Sequence, residues 1–153
     1  MKDKHEGKVL YVDDEIVNLQ GFKANFRREY TVYTASSASE ARQILASNEV
    51  HILITDQKMP ETLGTELLEE LVQEYPLHER IMLTAYADSQ AILDAFQKGK
   101  IYRYILKPYE PEELKNIIAE AYRLYSLKRV KDRLFEEWKK NNDELNRLGD
   151  NSL

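Results

Sequence analysis

Short apolar runs alternate with stretches of helical spacing along most of the chain. Val9-Leu10-Tyr11-Val12 reads as a buried strand that stops at Asp13-Asp14-Glu15, and Val17, Leu19, Phe22 and Phe26 then recur at roughly helical intervals. Thr31-Val32-Tyr33-Thr34-Ala35 is β-branched and aromatic, as strands prefer. Ser37-Ala38-Ser39-Glu40 has capping-box spacing and opens a helix through Ala41, Ile44 and Leu45. Ile52-Leu53-Ile54-Thr55 is the most apolar strand and runs straight into Asp56. Leu67, Leu68, Leu71 and Val72 mark a third helix, halted near Pro76. Ile81-Met82-Leu83-Thr84 is a fourth strand. Asp88 is a candidate cap for a helix through Ile92, Leu93 and Phe96 that Gly99 ends. Ile101 to Leu106 is the expected fifth strand, and Pro111 suits a first helical position before Leu114, Ile117, Ile118 and Ala121.

Five strands alternating with helices predict an α/β fold with a doubly wound, five-stranded parallel sheet covered on both faces. In such sheets ligands bind beyond the carboxyl ends of the strands, where strand order reverses. The polar residues at those ends are therefore the ones to weigh.

Bulk properties narrow the field. At 153 residues the chain holds one domain, or one domain with an appendage. Hydrophobic residues make up 42 %, enough for an ordinary core. A net charge of −5 argues against a nucleic-acid footprint, which demands a basic face. There is no cysteine, so disulfides, zinc–thiolate sites and thiol catalysis are excluded. The start has no apolar signal region and no apolar run suits a bilayer, so a soluble cytoplasmic protein is expected.

The strand ends then supply the chemistry. Strand one ends at Asp13-Asp14, strand three at Asp56, strand four at Thr84, and strand five leads into Lys107-Pro108. Singly, each has an ordinary explanation as a cap, turn or strand residue. Together they place three acids, a hydroxyl and an ammonium on one rim. Two like charges about 4 Å apart cost roughly 4 kcal/mol at an effective dielectric near 20. Either a proton stays or a cation enters. An oxygen-only site with few protein ligands suits Mg²⁺. A carboxylate beside such a cation is a nucleophile towards phosphoryl groups. Lys107 and Thr84 would steady the transferred oxygens.

Val-Asp-Asp-Glu at 12–15, Asp-Gln-Lys-Met-Pro at 56–60, Leu-Thr-Ala at 83–85 and Tyr-Ile-Leu-Lys-Pro at 104–108 resemble the receiver domains of two-component phosphorelay signalling, over roughly residues 8–125. The resemblance implies a flavodoxin-like (βα)5 fold, like that of the chemotaxis receivers. It makes Asp56 the phosphorylation site. Asp13, Asp14, Asp56 and the backbone carbonyl of Lys58 become the Mg²⁺ ligands, with the second acid of the pair the usual direct one. Thr84 and Lys107 contact the phosphoryl group, and Tyr104 is the aromatic that turns inward. The implied partner is a sensor histidine kinase or a phosphotransfer protein. The peptide before Pro108 is implied to be cis. Such a domain catalyses its own phosphorylation and dephosphorylation, so no separate substrate is expected. Glu15 is read as a helix-start residue favoured by the dipole.

Two positions that vary among receivers are Lys58 and Tyr86 here. A long cation and a bulky ring at the mouth are expected to slow hydrolysis. The usual Gly-Ala before strand five is Gly99-Lys100, so Lys100 must snorkel.

Other classes fit less well. Haloacid-dehalogenase-type enzymes need Asp-x-Asp after strand one and a cap. A flavin or nucleotide binder needs a phosphate loop where this chain has three acids. The intact acid set argues against a phosphate-independent scaffold.

The division expected is a receiver domain at 7–125 and a helical extension at 126–153. From Glu112 to Leu148 the chain lacks proline and glycine. Leu124, Leu127, Lys131, Leu134, Trp138, Asn141, Leu145 and Leu148 alternate spacings of three and four, a heptad seam with a at 124 and d at 127. A parallel homodimer through a coiled coil is expected, aided by the surface around Tyr102, Tyr104, Tyr122 and Tyr125. The alternatives are a helix folded back on its own domain, or one leading to a further domain. Near-balanced tail charge gives no nucleic-acid surface, and no membrane association is expected.

Overall fold

The computed structural model describes residues 7–85 and 89–150. Among them, five parallel strands form one sheet in the order β2-β1-β3-β4-β5. The strands are β1 (Lys8–Val12), β2 (Thr31–Ala35), β3 (Ile52–Thr55), β4 (Glu79–Thr84) and β5 (Arg103–Leu106). Between and after them lie α1 (Ile16–Phe26), α2 (Ala38–Ser47), α3 (Gly64–Glu74), α4 (Gln90–Gln97) and α5 (Pro111–Asp150).

The strands read as continuous apolar runs because both of their faces are covered. Val9, Tyr11, Ile52, Ile54, Ile81 and Leu83 point to the side of α1 and α5, where they meet Phe22, Phe26, Leu114 and Ile118. Leu10, Val12, Leu53 and Met82 point the other way, to α2, α3 and α4, against Leu45, Leu67, Leu68 and Ile92. Alternate residues of one strand thus serve two cores, as a period of two requires.

The helix ends obey local chemistry. Ser37 caps α2, its hydroxyl accepting from the Glu40 N–H at 3.1 Å. The Glu40 carboxylate reaches back to the Ser36 N–H and hydroxyl, one residue earlier than a standard capping box. Gly99 follows α4 at φ +72°, the left-handed region that favours glycine after a helix. Asp88, the expected cap of α4, lies outside the described residues. Ser89 occupies the N-cap position.

The fifth strand is shorter than expected, starting at Arg103 instead of Ile101. The turn through Gly99 consumes Ile101 and Tyr102. Ile101 is buried, but in the α3/α4-side core outside the strand, and the Tyr102 N–H donates to the Arg80 carbonyl at 2.6 Å. Lys100 does snorkel, pairing its ammonium with Glu69 of α3. Among the described residues no helix is long and apolar enough to cross a membrane.

α5 is one helix of 40 residues, about 60 Å long at 1.5 Å per residue. Its first half packs on the sheet through Leu114, Ile117, Ile118, Ala121 and Tyr125. From Arg129 to Gly149 every residue is exposed, so the helix does not fold back on its own domain. An ion pair and a ring contact aim it: Lys128 meets Glu79 of β4 at 2.6 Å, and the His51 ring lies tilted against Tyr125 with centroids 4.6 Å apart.

Candidate functional site

The backbone ladder carries the rim residues to their places. Asp13 N–H donates to the Ala35 carbonyl at the end of β2, Asp56 N–H to the Val12 carbonyl, and Lys107 N–H to the Thr84 carbonyl, at 2.9–3.0 Å. Each of these residues is the first beyond its strand and still pinned to its neighbour. The reversal of strand order lies between β1 and β3, so Asp13, Asp14 and Asp56 share the crevice there.

One carboxylate oxygen from each of Asp13, Asp14 and Asp56 lies within 4.8 Å of the other two. Asp13 is fully buried, Asp56 half-buried and Asp14 exposed. Lys107 joins them, its Nζ 2.6 Å from Asp13 Oδ2 and 3.3 Å from Asp56 Oδ2. Thr84 is fully buried at the end of β4. The Lys107–Pro108 peptide bond is cis.

Asp13 is saturated by protein donors. Oδ2 accepts from the Tyr11 hydroxyl at 2.6 Å, from Lys107, and from Asn18 Nδ2 at 3.1 Å, while Oδ1 accepts from the Glu15 N–H at 2.9 Å. Burial alone would raise its carboxyl pKa. The bonds from Lys107, Tyr11 and the Glu15 amide outweigh it and hold the group below the usual carboxylate range. Burial would likewise lower the Lys107 ammonium. Its bond to Asp13 and the charges of Asp13 and Asp56 win, and its pKa is raised. Both groups stay charged across neutral pH. Asp14, exposed and beside the other two, presents the more open carboxylate.

The loop after Asp56 is held from two sides. Gln57 is buried and clamps α3: its Oε1 accepts from the Thr65 N–H at 2.9 Å and its Nε2 donates to Thr65 Oγ1 at 3.2 Å. Gly64 lets α3 approach, because a Cβ there would run into the Asp56 carbonyl oxygen. Lys58 forms an isolated bridge with Leu63, which sets its backbone at the edge of the rim.

Sequence reasoning missed three of these supports. Tyr11 reads as one more apolar strand residue, and only its place two residues before Asp13 hints at a hydroxyl aimed along the strand. Gln57 carries no charge to mark it. Asn18 sits a helical turn after the acids, which was the available signal. Glu15 stands at the N-cap of α1 as expected, without a side-chain cap bond. Tyr86 lies outside the described residues. Tyr104 sits on β5, 37 % exposed, its ring edge-on to Phe96 with centroids 5.7 Å apart. The tail residues Leu134, Trp138, Leu145 and Leu148 are 55–66 % exposed, Leu127 is 52 % exposed and Leu124 is half-buried, all far from the rim on α5.

An acid cluster with a paired ammonium on a doubly wound sheet defines a phosphoryl-accepting switch domain, and comparison with known proteins agrees. Residues 9–119 match the response regulator receiver domain family, and the chain belongs to it. It is 37 % identical over 121 residues to the hydrogenase transcriptional regulatory protein HoxA of Cupriavidus necator, covering 79 % of this chain and 25 % of that one. The chain spans about a quarter of the length of such curated relatives. Among solved structures it resembles the signal receiver domain of an HD domain-containing protein from Pseudomonas fluorescens (TM-score 0.75, 34 % identity, 80 % of this chain and 98 % of that one). It also resembles the response regulator TrrA of Thermotoga maritima in complex with Mg²⁺ and beryllofluoride (TM-score 0.67, 27 % identity, 75 % and 98 %).

Proposed function

We propose that Asp56 accepts a phosphoryl group and that the rim converts its arrival into a change of association. An Asp56 carboxylate oxygen forms the new O–P bond as the bond from phosphorus to the donor, an imidazole of a histidine kinase or phosphotransfer protein, breaks. Asp13, Asp14, Asp56 and the Lys58 carbonyl would hold Mg²⁺, which supplies charge neutralisation to the transferring oxygens. Asp13 orients the set while Asp14 offers the open oxygen. Lys107 gives a point charge to the phosphoryl group and Thr84 a hydroxyl.

The carrying observation is the position of Lys107. Its ammonium already bridges Asp13 and Asp56, so a phosphoryl of about −1.5 to −2 charges on Asp56 draws it from Asp13. Exposed Ile16 and Val17 on α1 beside the acids offer apolar contact to a donor protein. Tyr104 starts outward and is the aromatic expected to turn in once Thr84 moves towards the phosphate.

The reading assigns residues 7–125 to the receiver and 126–153 to an extension that pairs two copies. It also makes Lys58 and Tyr86 a screen that slows hydrolysis. Acetyl phosphate with Mg²⁺ should add one phosphoryl mass to the wild type and none to Asp56→Asn. Lys58→Asn/Tyr86→Glu should lose that mass faster, and an unchanged decay removes the screen from the account.

A further inference from the structure

The tail of α5 exposes an apolar seam with no cover among the described residues, and the order of residues along it singles out one arrangement of a second copy. We infer that two chains pair antiparallel through residues 124–148, centred on residue 136. The inference rests on the tail-pairing part of the proposed function and revises the parallel expectation drawn from the heptad alone.

The argument is a matter of which residues meet. In a parallel two-stranded coil each seam residue faces its own copy. Lys131 then faces Lys131, placing two ammoniums in the seam, and Trp138 faces Trp138, placing the two largest side chains in one layer. In an antiparallel coil a positions face d positions of the partner. Centred on residue 136, Leu124 faces Leu148, Leu127 faces Leu145, Lys131 faces Asn141 and Leu134 faces Trp138. In three of these four pairings apolar meets apolar, in the fourth polar meets polar, and the tryptophan meets a smaller leucine. The apolar–polar pattern of the seam reads the same in both directions.

Charge points the same way. The half nearer the domain carries Lys128, Arg129, Lys131 and Arg133 against Asp132. The far half carries Lys139, Lys140 and Arg147 against Glu137, Asp143 and Glu144. A parallel pair sets the basic halves side by side, whereas an antiparallel pair sets each against a balanced half.

Two structural features fit the centre and the ends. Phe135, flanking the seam, stacks on the seam's Trp138 at 5.9 Å, both more than half exposed, so an apolar pair stands beside the two-fold axis, where interface energy concentrates. At the root, a groove of about 470 Å³ between α5, the start of β4 and the turn before β5 is lined by Ile101, Tyr102, Leu124 and Leu127 alongside four charged residues. The partner's far leucines reach its mouth in this register. The two receiver domains then stand at opposite ends of a coil about 38 Å long, by the rise of about 25 helical residues.

The chain has no cysteine, so single-cysteine variants of the full chain test the register directly. Leu127→Cys and Leu145→Cys, carrying tags of different mass, are mixed and oxidised with and without beryllofluoride. Both positions are exposed and leave the domain's core intact. Disulfides need Cα atoms within about 7 Å, so the expected product is the 127–145 heterodisulfide in about tenfold excess over either homodisulfide. Predominant 127–127 product means a parallel coil and overturns the inference, as do equal shares of all products. A monomer by light scattering in both states overturns pairing altogether. Asp56 phosphorylation is read separately by mass, so its failure is distinguishable from either.

Discussion

The rim and the tail of this molecule keep opposite kinds of group in opposite places. At the rim, charged residues are taken out of water: Asp13 is fully buried and Lys107 is one-fifth exposed. In the tail, Leu134, Phe135 and Trp138 are left in it at 55–60 % exposure. The rim meets its cost locally, because every buried oxygen of Asp13 has donors and unpaired buried charge is expensive. The tail has no such local remedy, and apolar area left in water is what a second surface removes. The rim thus gathers charge around one small site, while the tail leaves apolar area in water. α5 physically links the sheet to the tail, gripped at Glu79 on the strand whose other end is Thr84.

If this contrast is right, changes in the packed domain should cost folding stability and changes in the tail should not. Gly64→Ala is the harshest test, because its Cβ meets a backbone carbonyl that has no room to move. We expect a loss of about 3 kcal/mol by urea denaturation, in the range of strained backbone sites. A loss under about 0.5 kcal/mol would show that the loop yields.

His78 probes the end of the sheet remote from the rim. Burial first, then the charges of Arg80 and His51, push its pKa down to about 4, and its ring stacks on Tyr75. An unfolded histidine takes its proton near 6.5, while the folded one resists until about 4. The unfolded state therefore binds more protons in between, and stability falls as pH drops from 6.5 to 4, by up to about 3 kcal/mol. His78→Phe should flatten that part of the stability–pH curve, and a slope equal to wild type would count against the burial of a neutral ring.

Tyr11→Phe deletes one donor to buried Asp13 while keeping the ring among Phe22 and the core. The expected loss is about 1–2 kcal/mol, with weaker Mg²⁺ binding by titration calorimetry. Stability and Mg²⁺ affinity both equal to wild type would mean that Lys107 and Asn18 suffice. Smallest of all should be Leu134→Lys/Trp138→Lys. The receiver's melting should shift by less than about 0.5 kcal/mol, as for exposed sites, while light scattering reports monomer. A large loss of stability in the monomer would mean that the tail packs on its own domain after all.

Much of this was legible in the chain because the apolar runs that build the rim end in chemically loud residues. Ile52-Leu53-Ile54-Thr55 followed by Asp56 states both a buried strand and what stands at its end. The supports were quiet for physical reasons. Tyr11 has the apolar body of a strand residue, and its hydroxyl matters only because it reaches Asp13 two residues on, just past the strand's end. Gly64 is an ordinary glycine until the Asp56 carbonyl is seen pressed against it. The start of β5 was misplaced because Ile101 and Tyr102 have strand-like side chains, yet the left-handed turn at Gly99 spends them before pairing begins. The tail's seam was visible as a heptad. That its layers match when reversed follows only from asking which residues would face one another.

The central claim is that a phosphoryl group on Asp56 is what the rim is built to receive. The most direct measurement is intact mass after incubation with acetyl phosphate and Mg²⁺, in parallel with Asp56→Asn and with chelator. A gain of one phosphoryl mass, lost with chelator and absent from Asp56→Asn, is the predicted result. No gain in the wild type, or an equal gain in Asp56→Asn, would contradict it.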